Sequence, residues 1–129
     1  MFHSDQRHNE RFERGRRRLR EATGRDADDL TEALGDLGRY VVEFVFGDVY
    51  TRPGLSLRDR ELITVAMLTA LGGREDQLDV HLRAATNVGI PLAELRELMV
   101  QVAPYAGFPA AINGLQRLRS LEARSADDM

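Results

Sequence analysis

The chain has 129 residues, 18 basic and 21 acidic side chains, and a formal net charge of −3; every basic residue is arginine, and cysteine and tryptophan are absent. That length suits one domain with a real core, able to bury roughly two-thirds of its unfolded surface. Without cysteine there is no disulfide, zinc–thiolate site, iron–sulfur cluster or thiol nucleophile.

A hydrophobic fraction of 43% against 30% charged residues is a globular balance, not a disordered one. The longest nearly apolar run, Leu62–Leu71, is about half a membrane span. No apolar leader follows Met1, so a cytoplasmic protein is the expectation. Residues 1–25 carry eight arginines against four acids, and the remainder ten against seventeen. A basic arm on an acidic body suits either nucleic acid or an acidic neighbouring subunit, and the second is the plainer reading.

In chain order, the pattern is helical. Residues 7–22 are good helix formers with few apolar anchors, which predicts a mostly solvated or partner-facing helix ending near Gly24. Asp28 and Asp29 sit where N-cap and first-turn acids belong. From there Leu30, Leu34, Leu37, Val41, Phe44 and Val45 recur at helical spacing, with Gly35 and Gly38 only weakening the helix. Gly47-Asp48 and Arg52-Pro53-Gly54 end it. Ser56 and Asp59 resemble a capping box for a helix over 57–71, apolar nearly all round after Leu62 and therefore expected to be central and buried. A further helix over 75–88 carries Leu78, Leu82, Ala85 and Val88 on one stripe. Pro91 suits the first turn of the next, which Pro104 should stop or kink. The last helix is expected over 109–123. No strand pair remains, so the fold is all-α, a bundle of about six helices: a basic arm over 1–24, one helical domain over 25–124 and a frayed tail over 125–129.

His3 and His8 fall in an arm expected to be mobile. In the folded body the only histidine is His81, between Leu78, Leu82 and Ala85, with Gln77 and Arg74 one and two turns back on the same face. It is either a core histidine satisfied by a carbonyl or a general acid–base tuned by partial burial. Glu61 opens the apolar run, where a carboxylate is costly unless paired. It is either an entrance ion pair or, if near His81, the group that sets the imidazole's charge and tautomer. Arg52, Arg58, Arg60 and Arg83 are candidate carboxylate clamps, because guanidinium binds planar anions bidentately. Arg83, two residues from His81, points elsewhere on that helix. No metal-ligand spacing, P-loop or dinucleotide fingerprint is present. Residues 75–99 superficially resemble helix-turn-helix, but they are acidic and phosphate would repel them.

Four stretches carry a resemblance. Gly47-Asp48-Val49-Tyr50-Thr51-Arg52-Pro53-Gly54-Leu55 precedes Arg60-Glu61-Leu62-Ile63-Thr64-Val65-Ala66. His81-Leu82-Arg83-Ala84-Ala85-Thr86-Asn87-Val88-Gly89 follows, then Gln101-Val102-Ala103-Pro104-Tyr105-Ala106-Gly107-Phe108-Pro109-Ala110-Ala111. In this order they resemble the carboxymuconolactone decarboxylase family. The resemblance implies an alkylhydroperoxidase-like helical fold, a homo-oligomer (trimer or hexamer), and decarboxylation of a carboxylated lactone in aromatic catabolism. It implies neither metal nor cofactor, and neither nucleic acid nor membrane as partner. A sister branch uses Glu…Cys-x-x-Cys-x-x-x-His; laid on this chain, the thiols fall at Arg74 and Gln77, and the histidine and glutamate at His81 and near Glu61. A thiol peroxidase is thereby excluded. By the resemblance, His81 and Glu61 are catalytic, and Arg52, Arg58, Arg60, Gln77, Asn87 and Tyr105 contact substrate. Asn87-Val88-Gly89 departs from the namesake's Asn-Asn-Gly, and Glu61 stands where the namesake often has a small hydroxyl residue. These departures keep open a related lactone or polyketide-like acid, an isomerase, or a catalytically silent oligomeric module.

Overall fold

The computed structural model describes residues 2–127, with side chains from residue 9 onward. His3, His8 and the last two residues of the expected tail therefore lie outside the described side chains. The described residues form seven α-helices and one π-helical stretch, with no strand. The chain divides after Leu57 into two compact units.

The first unit contains α1 (Phe2–Thr23), α2 (Ala27–Leu34), α3 (Asp36–Tyr40) and a π-helix (Val41–Val49). Asp26, rather than Asp28, caps α2, accepting from the Asp28 N–H at 2.8 Å. The continuous helix expected from Leu30 onward is broken at Gly35, whose φ of +61° no L side chain adopts easily. Beyond Tyr40 the coil widens to i→i+5 bonding, closed by the Tyr50 N–H on the Val45 carbonyl at 2.8 Å.

The core of this unit is Leu19, Ala22, Ala27, Leu30, Val42, Phe46 and Tyr50. Within the mostly solvated α1, Gly15, Leu19 and Ala22 form a buried stripe. So few anchors suffice because glycine brings the backbones together. A Cβ on Gly15 would lie 1.9 Å from the Val42 carbonyl oxygen, and one on Gly47 would lie 2.8 Å from that of Arg11. Several of the helix's arginines find acids in their own unit. Arg11 and Arg14 clamp Asp48 at 2.7 and 2.9 Å, and Arg16 meets Asp28 at 2.9 Å. Arg18 donates to the Tyr50 carbonyl at 2.8 Å. The Arg11 hydrogen bond, with Arg14 beside it, holds the Asp48 carboxyl below its ordinary range against a smaller opposing effect of burial.

The second unit is built from α4 (Leu57–Leu71), α5 (Glu75–Asn87), α6 (Leu92–Ala106) and α7 (Phe108–Asp127). Val65, Leu78, Leu82, Ala85, Leu95, Met99 and Leu118 lie in its core. α4 departs from its expected full burial. Only Glu61, Val65 and Thr69, spaced by four, are wholly buried, while Ile63, Met67 and Leu71 on another face are exposed. Pro104 does not stop α6, which runs on to Ala106 and ends at Gly107, φ +99°. α7 is helical as far as Asp127, so residues 125–127 are not a frayed tail. It approaches α4 and α6 closely at Gly114, where a Cβ would lie 2.6 Å from both Met99 Sδ and Thr69 Cγ2. Arg117 ties α7 to α5 through two hydrogen bonds to Asp79. No described helix is long and apolar enough to cross a membrane.

Candidate active site

On α5 the stripe Leu78, Leu82 and Ala85 faces the core. His81 lies beside that stripe, so its imidazole is mostly covered yet keeps an open edge, with 17% of the side chain exposed. On α4 the buried stripe begins with Glu61, which has no solvent contact. The two helices bring His81 Nδ1 to 2.9 Å from Glu61 Oε2. The histidine's partner is thus a carboxylate rather than a backbone carbonyl.

This contact decides what the imidazole can do. With Nδ1 tethered to Glu61, Nε2 is left as the nitrogen able to exchange a proton with a ligand. A buried carboxylate is tolerable when opposed by a cation and costly when alone. The contact with Nδ1 gives Glu61 a polar partner and fixes the plane of the imidazole. The other carboxylate oxygen, Oε1, is buried and has no hydrogen-bond partner among the described residues.

The remaining site residues expected from the sequence are placed less uniformly. Gln77 is exposed on α5, one turn before His81. Arg58 is held by Glu94 of α6, an ion pair that sequence reasoning did not anticipate. The signal available was weak, since a glutamate three residues after Pro91 reads simply as a first-turn acid. Arg60 is half-buried on α4, one residue before Glu61. Asn87 is exposed as the last residue of α5, and Tyr105 is exposed near the end of α6. Arg52 is exposed in the turn after the π-helix, in the first unit. At the positions of the sister branch's thiols, Arg74 donates to the Gly72 carbonyl at 2.9 Å and Gln77 is a neutral amide. Among the described residues no group of three or more histidine, aspartate or glutamate side chains could hold a metal ion.

An all-α chain with a carboxylate–imidazole pair and no thiol is equipped for proton transfer rather than thiol redox chemistry. Residues 35–120 match the carboxymuconolactone decarboxylase family, and the chain belongs to that family. Its helical architecture fits the alkylhydroperoxidase-like fold that the sequence resemblance implied.

The chain is 42% identical over 87 residues to a 4-carboxymuconolactone decarboxylase of Acinetobacter baylyi, covering 67% of this chain and 64% of that protein. It is 33% identical over 76 residues to the nitrosuccinic acid decarboxylase npaB of Metarhizium robertsii, covering 58% of this chain and 52% of that protein. A third relative, an uncharacterized 15.0 kDa protein of Paracoccus denitrificans, is 29% identical over 89 residues. The chain thus spans somewhat less than two-thirds of the first relative's length and about half of the second's.

Proposed function

We propose that this protein is a carboxy-lyase that removes carbon dioxide from an unsaturated lactone carboxylate of the 4-carboxymuconolactone type by acid–base chemistry. The observation that carries the proposal is the 2.9 Å contact between His81 Nδ1 and the buried Glu61. The carbon–carboxylate bond breaks heterolytically, carbon dioxide leaves, and the electron pair spreads through the unsaturated lactone onto its carbonyl oxygen. His81 Nε2 then gives its proton to the carbanion carbon, and Glu61 stabilises and orients the imidazolium until that step. The substrate supplies its own electron sink, so the reaction as written uses no cofactor. Arg58 or Arg60, in the same unit as His81, holds the carboxylate that stays, with Gln77, Asn87 and Tyr105 shaping the surroundings. Arg58 would first have to leave Glu94.

The names of two relatives support the substrate class. Decarboxylation of 4-carboxymuconolactone and of nitrosuccinic acid both leave a carbanion next to an electron acceptor, an unsaturated lactone in one case and a nitro group in the other. The common requirement is a carboxylate beside such an acceptor. A related acid, such as one from a biosynthetic route, is the second reading; that one relative is named for a different acid, nitrosuccinic acid, supports it, as does Val88 within Asn87-Val88-Gly89. The lead reading places the protein in the cytoplasm, in aromatic catabolism, as a homotrimer or homohexamer.

The test is turnover. Purified protein supplied with freshly generated 4-carboxymuconolactone should release carbon dioxide and form the enol-lactone, followed by NMR. His81→Gln should fold and lose at least about 100-fold in kcat, in keeping with loss of a general acid. Undiminished turnover by the folded variant would overturn the role of His81.

A further inference from the structure

We propose that Glu94 is a built-in stand-in for the substrate's carboxylate: it holds Arg58 until substrate binds, is then displaced, and so sets the affinity for the carboxylate that stays. The inference rests on the reading of the substrate as a carboxylated acid. It deepens that reading by choosing between two arginines and by adding a residue that neither touches substrate nor moves a proton. Arg58 stands three residues before Glu61 on α4, and residues so spaced are neighbours on a helix surface, with about 5–6 Å between their Cβ atoms. Glu61 in turn meets His81. A carboxylate held by Arg58 is therefore about one helical turn from the proton-transferring pair. Arg60 adjoins Glu61 in sequence, and residues one apart do not share a helix face.

Glu94 turns to Arg58 because its own helix offers it no capping bond. It is the third residue of α6, whose N-cap is Pro91. A glutamate at that position ordinarily reaches back to the backbone N–H of the N-cap. Proline has no N–H, and α6 has no side-chain cap hydrogen bond. The carboxylate instead accepts from Arg58 Nη2, across from α6 to α4, while Asp59 lies 3.9 Å from Nη1.

The pair is built to exchange. Both side chains are 40% exposed, so an incoming anion meets the guanidinium from solvent and neither charge is stranded in the core. The pair joining α5 to α7 differs: Asp79 is only 17% exposed and takes two hydrogen bonds from Arg117. Glu94 also has somewhere to go. It lines a groove of about 410 Å³ between α4 and α6, over Leu62, Ala66 and Leu98. There, in the first turn of α6, it stays at the positive end of the helix dipole. The competition is between like groups, since a ligand carboxylate replaces a protein carboxylate on one guanidinium fork. A ligand without a carboxylate has no means to displace Glu94, so the residue filters for charge. The retained carboxylate is unchanged between substrate and transition state, so the exchange acts on KM and not on kcat.

The test compares the full-length wild type with Glu94→Gln, Arg58→Gln and the double variant. Glutamine keeps the shape of Glu94, removes its charge and suits the same helix position. Two readouts are taken: turnover of 4-carboxymuconolactone, and calorimetric binding of the saturated lactone γ-butyrolactone-γ-acetate, which keeps a carboxylate but has no double bond to accept an electron pair and is not consumed. Glu94→Gln should lower KM and Kd by about two- to fivefold, the worth of an exposed ion pair, with kcat unchanged. Arg58→Gln should raise both constants, and adding Glu94→Gln to it should bring no gain. Glu97→Gln removes the same charge one turn further along α6, in the same groove, and should leave both constants at their wild-type values. The proposal is overturned if Glu94→Gln leaves Kd unchanged or raises it, or if wild type and Glu94→Gln both fail to bind the probe saturably. It is equally overturned if the gain persists without Arg58 or is matched by Glu97→Gln, because net charge alone is then being felt. Absent turnover with the binding pattern intact overturns the decarboxylase reading and leaves this one standing; normal turnover with Glu94→Gln indifferent overturns this one alone.

Discussion

Glu61 carries the most consequential side chain in the protein: a carboxylate without solvent contact, with His81 as its hydrogen-bonding partner. Removing one member of such a pair strands the other, and that is where the energy lies. His81→Ala alone should cost about 2–4 kcal/mol in urea unfolding, because Glu61 is left buried and unpaired. In a Glu61→Leu background the same change should cost far less, leaving a coupling of at least about 1 kcal/mol in the double-mutant cycle. Additive losses would mean that the pair does not hold the two helices together. Both residues were legible in the sequence as candidates, His81 from its place beside an apolar stripe and Glu61 as a charge opening one. Their contact was not, because twenty residues and a turn separate them and helical spacing reports only on neighbours within one helix. The Arg58–Glu94 pair was hidden for the same reason.

Among the elements, α1 and the π-helix show how much a glycine can specify. At Gly15 a methyl group would meet the Val42 carbonyl oxygen, a backbone atom that cannot rotate aside. Gly15→Ala should therefore cost more than about 2 kcal/mol. Gly35→Ala meets no neighbour and strains only a positive φ, so it should cost about 1 kcal/mol. Thermal melts of the two variants should rank in that order. The same pair of elements sets an acid dependence. Arg11, with Arg14, lowers the Asp48 carboxyl below its unfolded value near 4. The stabilisation is thus present above that value and lost as pH falls through the lower folded one. Asp48→Asn should melt below wild type at pH 7, and the gap should close in acid; a gap independent of pH would contradict this. From the sequence, residues 7–22 read as an exposed basic helix because apolar residues are few. Glycine's contribution to close packing escapes a reading based on hydrophobic period.

At the scale of the whole molecule, α1 contributes to the core of the first unit. Deleting residues 1–24 removes Leu19 and Ala22 from that core. Helical circular dichroism should then fall by more than the deleted residues account for, as α2, α3 and the π-helix lose their support. A strictly proportional loss would mean that α1 does not support the rest of the unit. By itself the sequence determined the helical class, because its apolar residues recur at helical period and its glycines and prolines fall at helix ends. It also determined the absence of thiol chemistry, because no thiol is present. What only tertiary structure decided is which sides of those helices meet. A helix apolar all round does not say which side faces its own core, and α4 turns Glu61 inward and Ile63 outward. The reason is physical: hydrophobic burial is non-directional and depends on area alone, whereas pairing a buried carboxylate demands one partner at one distance.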